Sequence, residues 1–149
     1  MSLLKRLDED LKVAMKGSDH LKTSVIRMVK AAIKNKQIEK GRELTEEDII
    51  SVISSLAKQG RESVEQFSKG GREDLAEKER KELSILQSYL PEQLTPEELD
   101  RLIIEVIKEA SAEGMRDMGK VMRILMPRVK GAADGKIVNE RVKELLEKV

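Results

Sequence analysis

Leu90-Pro91-Glu92-Gln93-Leu94-Thr95-Pro96-Glu97-Glu98 divides this chain in two. A residue before proline is pushed out of the α region, so the helix leading into Leu90 stops there. Four residues after Pro91, Thr95 offers a side-chain N-cap. Pro96 takes the first helical position, where its missing N–H is harmless, and Glu98 falls at the third. A helix stop and a helix start this close together place a linker at Leu90–Leu94 and a domain boundary at residue 90.

On both sides of the boundary the apolar residues recur at helical spacing, and no segment shows strand-like alternation bounded by turn signals. Ser2 caps a first helix with Leu3, Leu4, Leu7, Leu11 and Met15 on one face, closed by a left-handed Gly17. Asp19 starts a second, with Leu21, Val25, Met28, Val29, Ala32 and Ile33 as its stripe and Gly41 at its end. Thr45 and Asp48 make a capping-box variant for a third, lined by Ile49, Ile53, Leu56, Gly60, Val64 and Phe67. Gly60 costs about 1 kcal/mol relative to alanine inside a helix, and a close helix–helix approach is one explanation for it. After the Gly70-Gly71 break, Leu75, Leu83, Leu86 and Leu90 mark a fourth helix with a thin apolar face.

Beyond the linker, Leu99, Leu102, Ile103, Val106 and Ala110 form a fifth helix ending at Gly114. Asp117 caps a sixth, with Met118, Val121, Met122 and Leu125 buried and Pro127 ending or kinking it. Met118, Met122 and Met126 read as core filler. Lys130–Lys136 is a loop, and Asp134 caps a last helix that buries Ile137, Val138, Val142, Leu145 and Leu146. The expected fold is all-α: an N-terminal four-helix domain, residues 1–90, then a small C-terminal three-helix bundle, residues 91–149.

Composition removes several chemistries. The chain has 149 residues and no Cys, so it has no disulfide, no thiolate nucleophile and no Cys-ligated metal. His20 is the single His, and no metal or other cofactor is expected. One Tyr (Tyr89), one Phe (Phe67) and no Trp leave little for base stacking. No apolar run approaches the length of a membrane span, and the charged start MSLLKRLDEDLK does not resemble a signal peptide. The expectation is a cytoplasmic protein without a membrane partner. There is no Gly-x-Ser-x-Gly elbow and no phosphate-binding Gly-x-x-x-x-Gly-Lys-Ser/Thr loop, and no residue stands out as catalytic.

The net charge of +1 conceals a strong alternation. Residues 1–42 hold 11 Lys/Arg against 5 Asp/Glu, and residues 43–82 hold 7 against 11. Residues 92–113 hold 2 against 7, and residues 116–136 hold 6 against 2. At 100° per residue, Lys120 and Arg123 share a face opposite Val121, Met122 and Leu125. Lys130 extends that stripe if the helix survives Pro127. Lys130 and Lys136 flank Gly131 and Gly135, a place where open backbone N–H groups would grip a phosphate; the alternative is an ordinary C-cap, turn and N-cap. Arg27, Lys30 and Lys34 form a second basic stripe, for which the alternative is a solvated helix face.

Three strings in this order carry a resemblance: Leu90-Pro91-Glu92-Gln93-Leu94, Asp117-Met118-Gly119-Lys120-Val121-Met122, and Lys130-Gly131-Ala132-Ala133-Asp134-Gly135-Lys136-Ile137-Val138-Asn139. The whole chain resembles the YqeY family. Its second half resembles the tail domain of the B subunit of the glutamine-dependent Asp/Glu-tRNA amidotransferase. The family loop usually reads Lys-Gly-Arg-Ala-Asp-Gly; Ala132 here replaces the Arg and removes one candidate phosphate contact. The resemblance implies an all-α, two-domain protein whose C-terminal part helps to bind tRNA. A carbon–nitrogen ligase activity with glutamine as amide donor would be inherited from the larger enzyme, whose catalytic domains have no counterpart among these residues.

Three functions are therefore expected in order: a non-catalytic module binding tRNA, or a tRNA-bearing enzyme, through Lys120, Arg123, Lys130 and Lys136; a protein-interaction adaptor docking by charge; and an amidotransferase accessory acting with a separate glutaminase.

Overall fold

The computed structural model describes residues 2–149. The described residues form seven α-helices, one short 3-10 turn and no strand. The helices are α1 (Leu3–Lys16), α2 (His20–Lys40), α3 (Glu46–Lys69), α4 (Glu73–Gln87), α5 (Pro96–Glu109), α6 (Met118–Val129) and α7 (Gly135–Leu146), with the 3-10 turn Met115–Asp117 leading into α6. The chain divides into two compact units, Met1–Leu90 and Pro91–Val149, each with its own apolar core.

In the first unit, Leu7 of α1, Val25, Ile26, Val29 and Ile33 of α2, and Ile49, Ile53 and Ala57 of α3 are buried together with Leu86 and Tyr89. The local caps explain the starts. Ser2 Oγ accepts from Lys5 N, and the Glu46 carboxylate also accepts from Leu3 N at 3.1 and 3.3 Å, an anion at a helix N-terminus. Thr45 and Asp48 complete the reciprocal capping box. The α3–α4 hairpin turns through Gly71 at φ 74.

Sequence expectations fail here where position depends on a neighbour. Gly17 is not left-handed; Ser18 takes φ 55, and Asp19 N donates to Ala14 O at 2.9 Å, a Schellman closure one residue later. Met28 is 41% exposed while Ile26 is wholly buried, so the apolar stripe of α2 is rotated from the expected one. The thin face of α4 nonetheless contributes Ala76 and Leu86 to the interior. Tyr89, just beyond α4, is also buried; its hydroxyl donates to Asp10 Oδ2 at 2.5 Å, and Arg6 lies 4.6 Å over its ring.

In the second unit, Leu99, Ile103 and Val106 of α5 pack with Val121, Leu125 and Val129 of α6 and Val138, Val142 and Leu146 of α7. The fifth helix ends at Glu109 rather than at Gly114, with Ser111 at φ 51 and Ala112 N donating to Ile107 O. Asp117 does not cap α6: its carboxylate accepts from Glu113 N instead. Pro127 does not end α6, which continues to Val129; Pro127 lies on the exposed side of the helix, where solvent can reach the carbonyl left without its N–H donor. Ile137, expected in the core, is 54% exposed.

The segment expected as a free linker is partly held. Gln93 Nε2 donates to Pro91 O at 3.0 Å and to Gly131 O at 2.6 Å, and Leu94 N donates to Ala132 O at 2.8 Å. Residues 93 and 94 are thereby fastened to the α6–α7 loop.

Candidate nucleic-acid interface

Helix α6 is built to turn cations outward. Val121, Leu125 and Val129 recur at i, i+4 and i+8 and are fully buried. This fixes the rotation of the helix and leaves Lys120 and Arg123 exposed on the far side. Arg123 Nε reaches no acid; its one hydrogen bond is to Gly119 O of its own helix at 3.4 Å. No side chain caps the start of α6; the Met118 N–H is taken by Met115 O of the 3-10 turn.

Lys130 is the residue at which the chain leaves α6, and its side chain is exposed. Lys136 lies in the first turn of α7, also exposed. Among the described residues, none of Lys120, Arg123, Lys130 and Lys136 has a carboxylate within 4.0 Å. The neighbouring arginines differ. Arg116 pairs with Glu113 at 2.5 Å, Arg128 holds Glu109 with two bonds of 3.1 and 2.7 Å, and Arg141 holds Asp100 at 2.6 and 2.8 Å. These pairs keep the Glu109 and Asp100 carboxyls below their usual range, chiefly through the arginine hydrogen bonds. The acidic excess of residues 92–113 is thus partly spent on arginines; Arg101, Lys108, Lys143 and Lys148 also have no carboxylate within 4.0 Å, and what sets Lys120, Arg123, Lys130 and Lys136 apart is their clustering within residues 120–136.

The loop between the lysines is less open than its glycines suggest. Gly131 is buried at φ 79, the left-handed region that glycine adopts freely, and its carbonyl is the acceptor for Gln93. Ala132 N and Ala133 N both donate to Val129 O, and Lys136 N donates to the Asp134 carboxylate. Gly135 is exposed at the first position of α7. Most of the loop backbone is therefore committed to the C-cap, turn and N-cap, and the Asp134 carboxylate already occupies the start of α7. Beside it, the exposed Lys130 and Lys136 side chains are available to an external anion.

The basic stripe of the first unit is broken. Lys30 is paired with Asp8 of α1. Arg27 Nη2 points to Met15 Sδ at 3.8 Å, and Lys34 is exposed without an acid within 4.0 Å. His20 is exposed at the start of α2. Sequence reasoning did not foresee the Gln93 bond to Gly131, although both residues lie in the strings that carried the family resemblance. Nor did it foresee the Tyr89–Asp10 bond; a lone tyrosine beside a helix stop was the available signal. No helix is long and apolar enough to cross a membrane among the described residues.

The family model described as Yqey-like protein matches residues 4–146. Three similar proteins bear the name Altered inheritance of mitochondria protein 41, mitochondrial. The one from Pyrenophora tritici-repentis (strain Pt-1C-BFP) is 34% identical over 147 residues, covering 97% of this chain and 81% of its own length. That of Kluyveromyces lactis is 38% identical over 107 residues, 69% of this chain and 57% of the relative. That of Saccharomyces cerevisiae (strain YJM789) is 32% identical over 128 residues, 82% of this chain and 68% of the relative. These names overturn the cytoplasmic expectation, since the relatives are mitochondrial proteins. The lack of a secretory apolar stretch argued against export and could not separate cytoplasm from organelle.

Proposed function

The chain belongs to the Yqey-like protein family, and from that premise we propose that it is a non-catalytic RNA-binding accessory protein whose target is tRNA or a tRNA-bearing enzyme. In this proposal the two compact units are an N-terminal four-helix domain and a C-terminal three-helix domain, and the second makes the contact. Lys120, Arg123, Lys130 and Lys136 touch phosphates of a folded RNA by charge and shape, without reading bases. The observation that carries the proposal is clustering: residues 116–136 hold 6 Lys/Arg against 2 Asp/Glu, and four of those six, Lys120, Arg123, Lys130 and Lys136, face solvent without an acid within 4.0 Å. The scarcity of aromatic residues agrees with phosphate contact rather than stacking.

The test is retention of bulk tRNA by the full chain and by its Lys120→Ala/Arg123→Ala variant. Weaker retention and a shallower salt dependence in the variant are expected. Unchanged retention rejects the proposal. Capture of a protein that survives nuclease treatment, with no tRNA retained, would instead favour the adaptor function.

A further inference from the structure

A pocket of about 150 Å³ opens where α2, α3 and α4 meet, in the first unit. Met28, Leu83 and Leu86 supply apolar walls. Glu79 and Glu82, one turn apart on α4, line it as well, and both are partly buried. The other acids of that helix are neutralised: Glu73 and Glu77 by Arg80, and Asp74 by Arg72. Glu79 and Glu82 have no Lys, Arg or His within 4.0 Å among the described residues. Burial and the neighbouring Glu82 push the Glu79 carboxyl up, and Lys78 offsets this in part.

Gly60 forms part of the same wall. A β-carbon there would lie 3.5 Å from Leu83 Cδ1 and 3.8 Å from Leu83 Cβ, which is ordinary van der Waals contact. The crossing of α3 and α4 therefore does not require glycine, contrary to the close-approach explanation. Alanine is the better helix former. Glycine at this site leaves a methyl-sized space beside Leu83 in the pocket wall unfilled. Two unpaired carboxylates, an apolar wall and a helix-interior glycine that packing does not demand coincide at one place.

We propose that this pocket binds a primary alkylammonium group, its carbon stem against Met28, Leu83 and Leu86 and its charge on Glu79 and Glu82. An ammonium has three donors and no acceptor. Two carboxylates accept from it, and the side-chain oxygens of Gln59 and Ser63, which also line the pocket, are available for the third donor. A metal ion fits less well: among the described residues no group of three His, Cys, Asp or Glu could hold one. The ammonium belongs either to a free alkylamine or to a lysine side chain of another protein, and the experiment separates these sources.

The full chain is titrated with n-butylammonium, with n-butanol as the uncharged analogue, and with a short lysine-containing peptide, following backbone amide shifts by NMR. Saturable shifts centred on Gly60, Glu79 and Leu83 are expected with n-butylammonium. The Glu79→Gln/Glu82→Gln variant should bind about tenfold more weakly or worse, from the loss of charge-assisted bonds. Gly60→Ala should keep the fold and weaken binding severalfold. Saturation by the amine alone identifies a free amine as the source; saturation by the peptide identifies a lysine side chain. The proposal is overturned by absence of saturation with both, by n-butanol binding equally well, or by the double Gln variant retaining full affinity.

Discussion

Removing Lys120 and Arg123 together should halve the electrostatic response of RNA binding. If Lys120, Arg123, Lys130 and Lys136 each neutralise one phosphate, the plot of log affinity against log salt has a slope of about −2.8 to −3.6. Raising salt from about 50 to about 200 mM then lowers affinity roughly 50- to 150-fold. With two contacts left, the slope falls to about −1.4 to −1.8 and the same change in salt costs only roughly 7- to 12-fold. Filter retention of bulk tRNA across a salt series measures both slopes, with circular dichroism to verify the helical content of each variant. Arg128→Ala is the internal control. Arg128 lies on the same helix and is exposed, yet both its terminal nitrogens are held by Glu109 at 3.1 and 2.7 Å. Its removal should leave the slope at the wild-type value. A double variant that keeps the full slope, or an Arg128→Ala variant whose slope drops as far, refutes the assignment of these cations to phosphate contacts.

Other perturbations test the fold that presents this surface. Tyr89→Phe deletes the bond to Asp10 and should cost about 1 kcal/mol in urea unfolding. Burial, then Asp10, holds the Tyr89 hydroxyl well above its ordinary value of 10.0, so its contribution is complete below that value and disappears as pH rises through the folded-state value. Because Tyr89 is the sole tyrosine, tyrosinate absorbance should appear only together with loss of helical signal; its appearance near pH 10 in folded protein would contradict the buried placement. Gly131→Ala forces a side chain into φ 79 and should cost about 1–2 kcal/mol, whereas Gly135→Ala, whose β-carbon would meet only Met126 Cε at 3.8 Å, should be neutral or stabilising in the same denaturation assay. The Asp48 carboxyl is held far below its ordinary 3.8, first by the Thr45 backbone N–H and then by Arg42 and Lys40. Its stabilisation is present above that value and is lost as pH falls below it, so Asp48→Asn should lower the urea midpoint near neutrality and flatten its acid limb. An acid limb as steep as that of the wild type counts against the capping box as its source.

Interactions that close within a few residues were legible from the chain alone. Thr45, Thr95 and Asp134 accept from backbone N–H groups two or three residues ahead, as their positions before apolar periodic stretches require. Where two local partners compete, the inference failed: Asp117 gave up the cap of α6 for the N–H of Glu113. Glycine marked some helix ends and not others: Gly41 closes α2 in the left-handed region as expected, whereas Ser18 rather than Gly17 takes it after α1, and α5 stops at Glu109 with Ser111 left-handed, short of the expected end at Gly114. The edge of an apolar stripe was similarly open, because the partner helices decide whether Ile26 or Met28 is covered.

Helical class, the number of helices and the outward turn of Lys120 and Arg123 follow from side-chain periodicity, which is a property of neighbours one or two turns apart. The cancellation of charge does not. Lys30 meets Asp8 across 22 residues, Arg128 meets Glu109 across 19, and Arg141 meets Asp100 across 41. Coulomb attraction and hydrogen bonding fall off with distance in space, not with separation along the chain. A count of lysines and acids could therefore locate the basic regions, but only the packed helices determined which cations are spent within the protein and which are left in solvent.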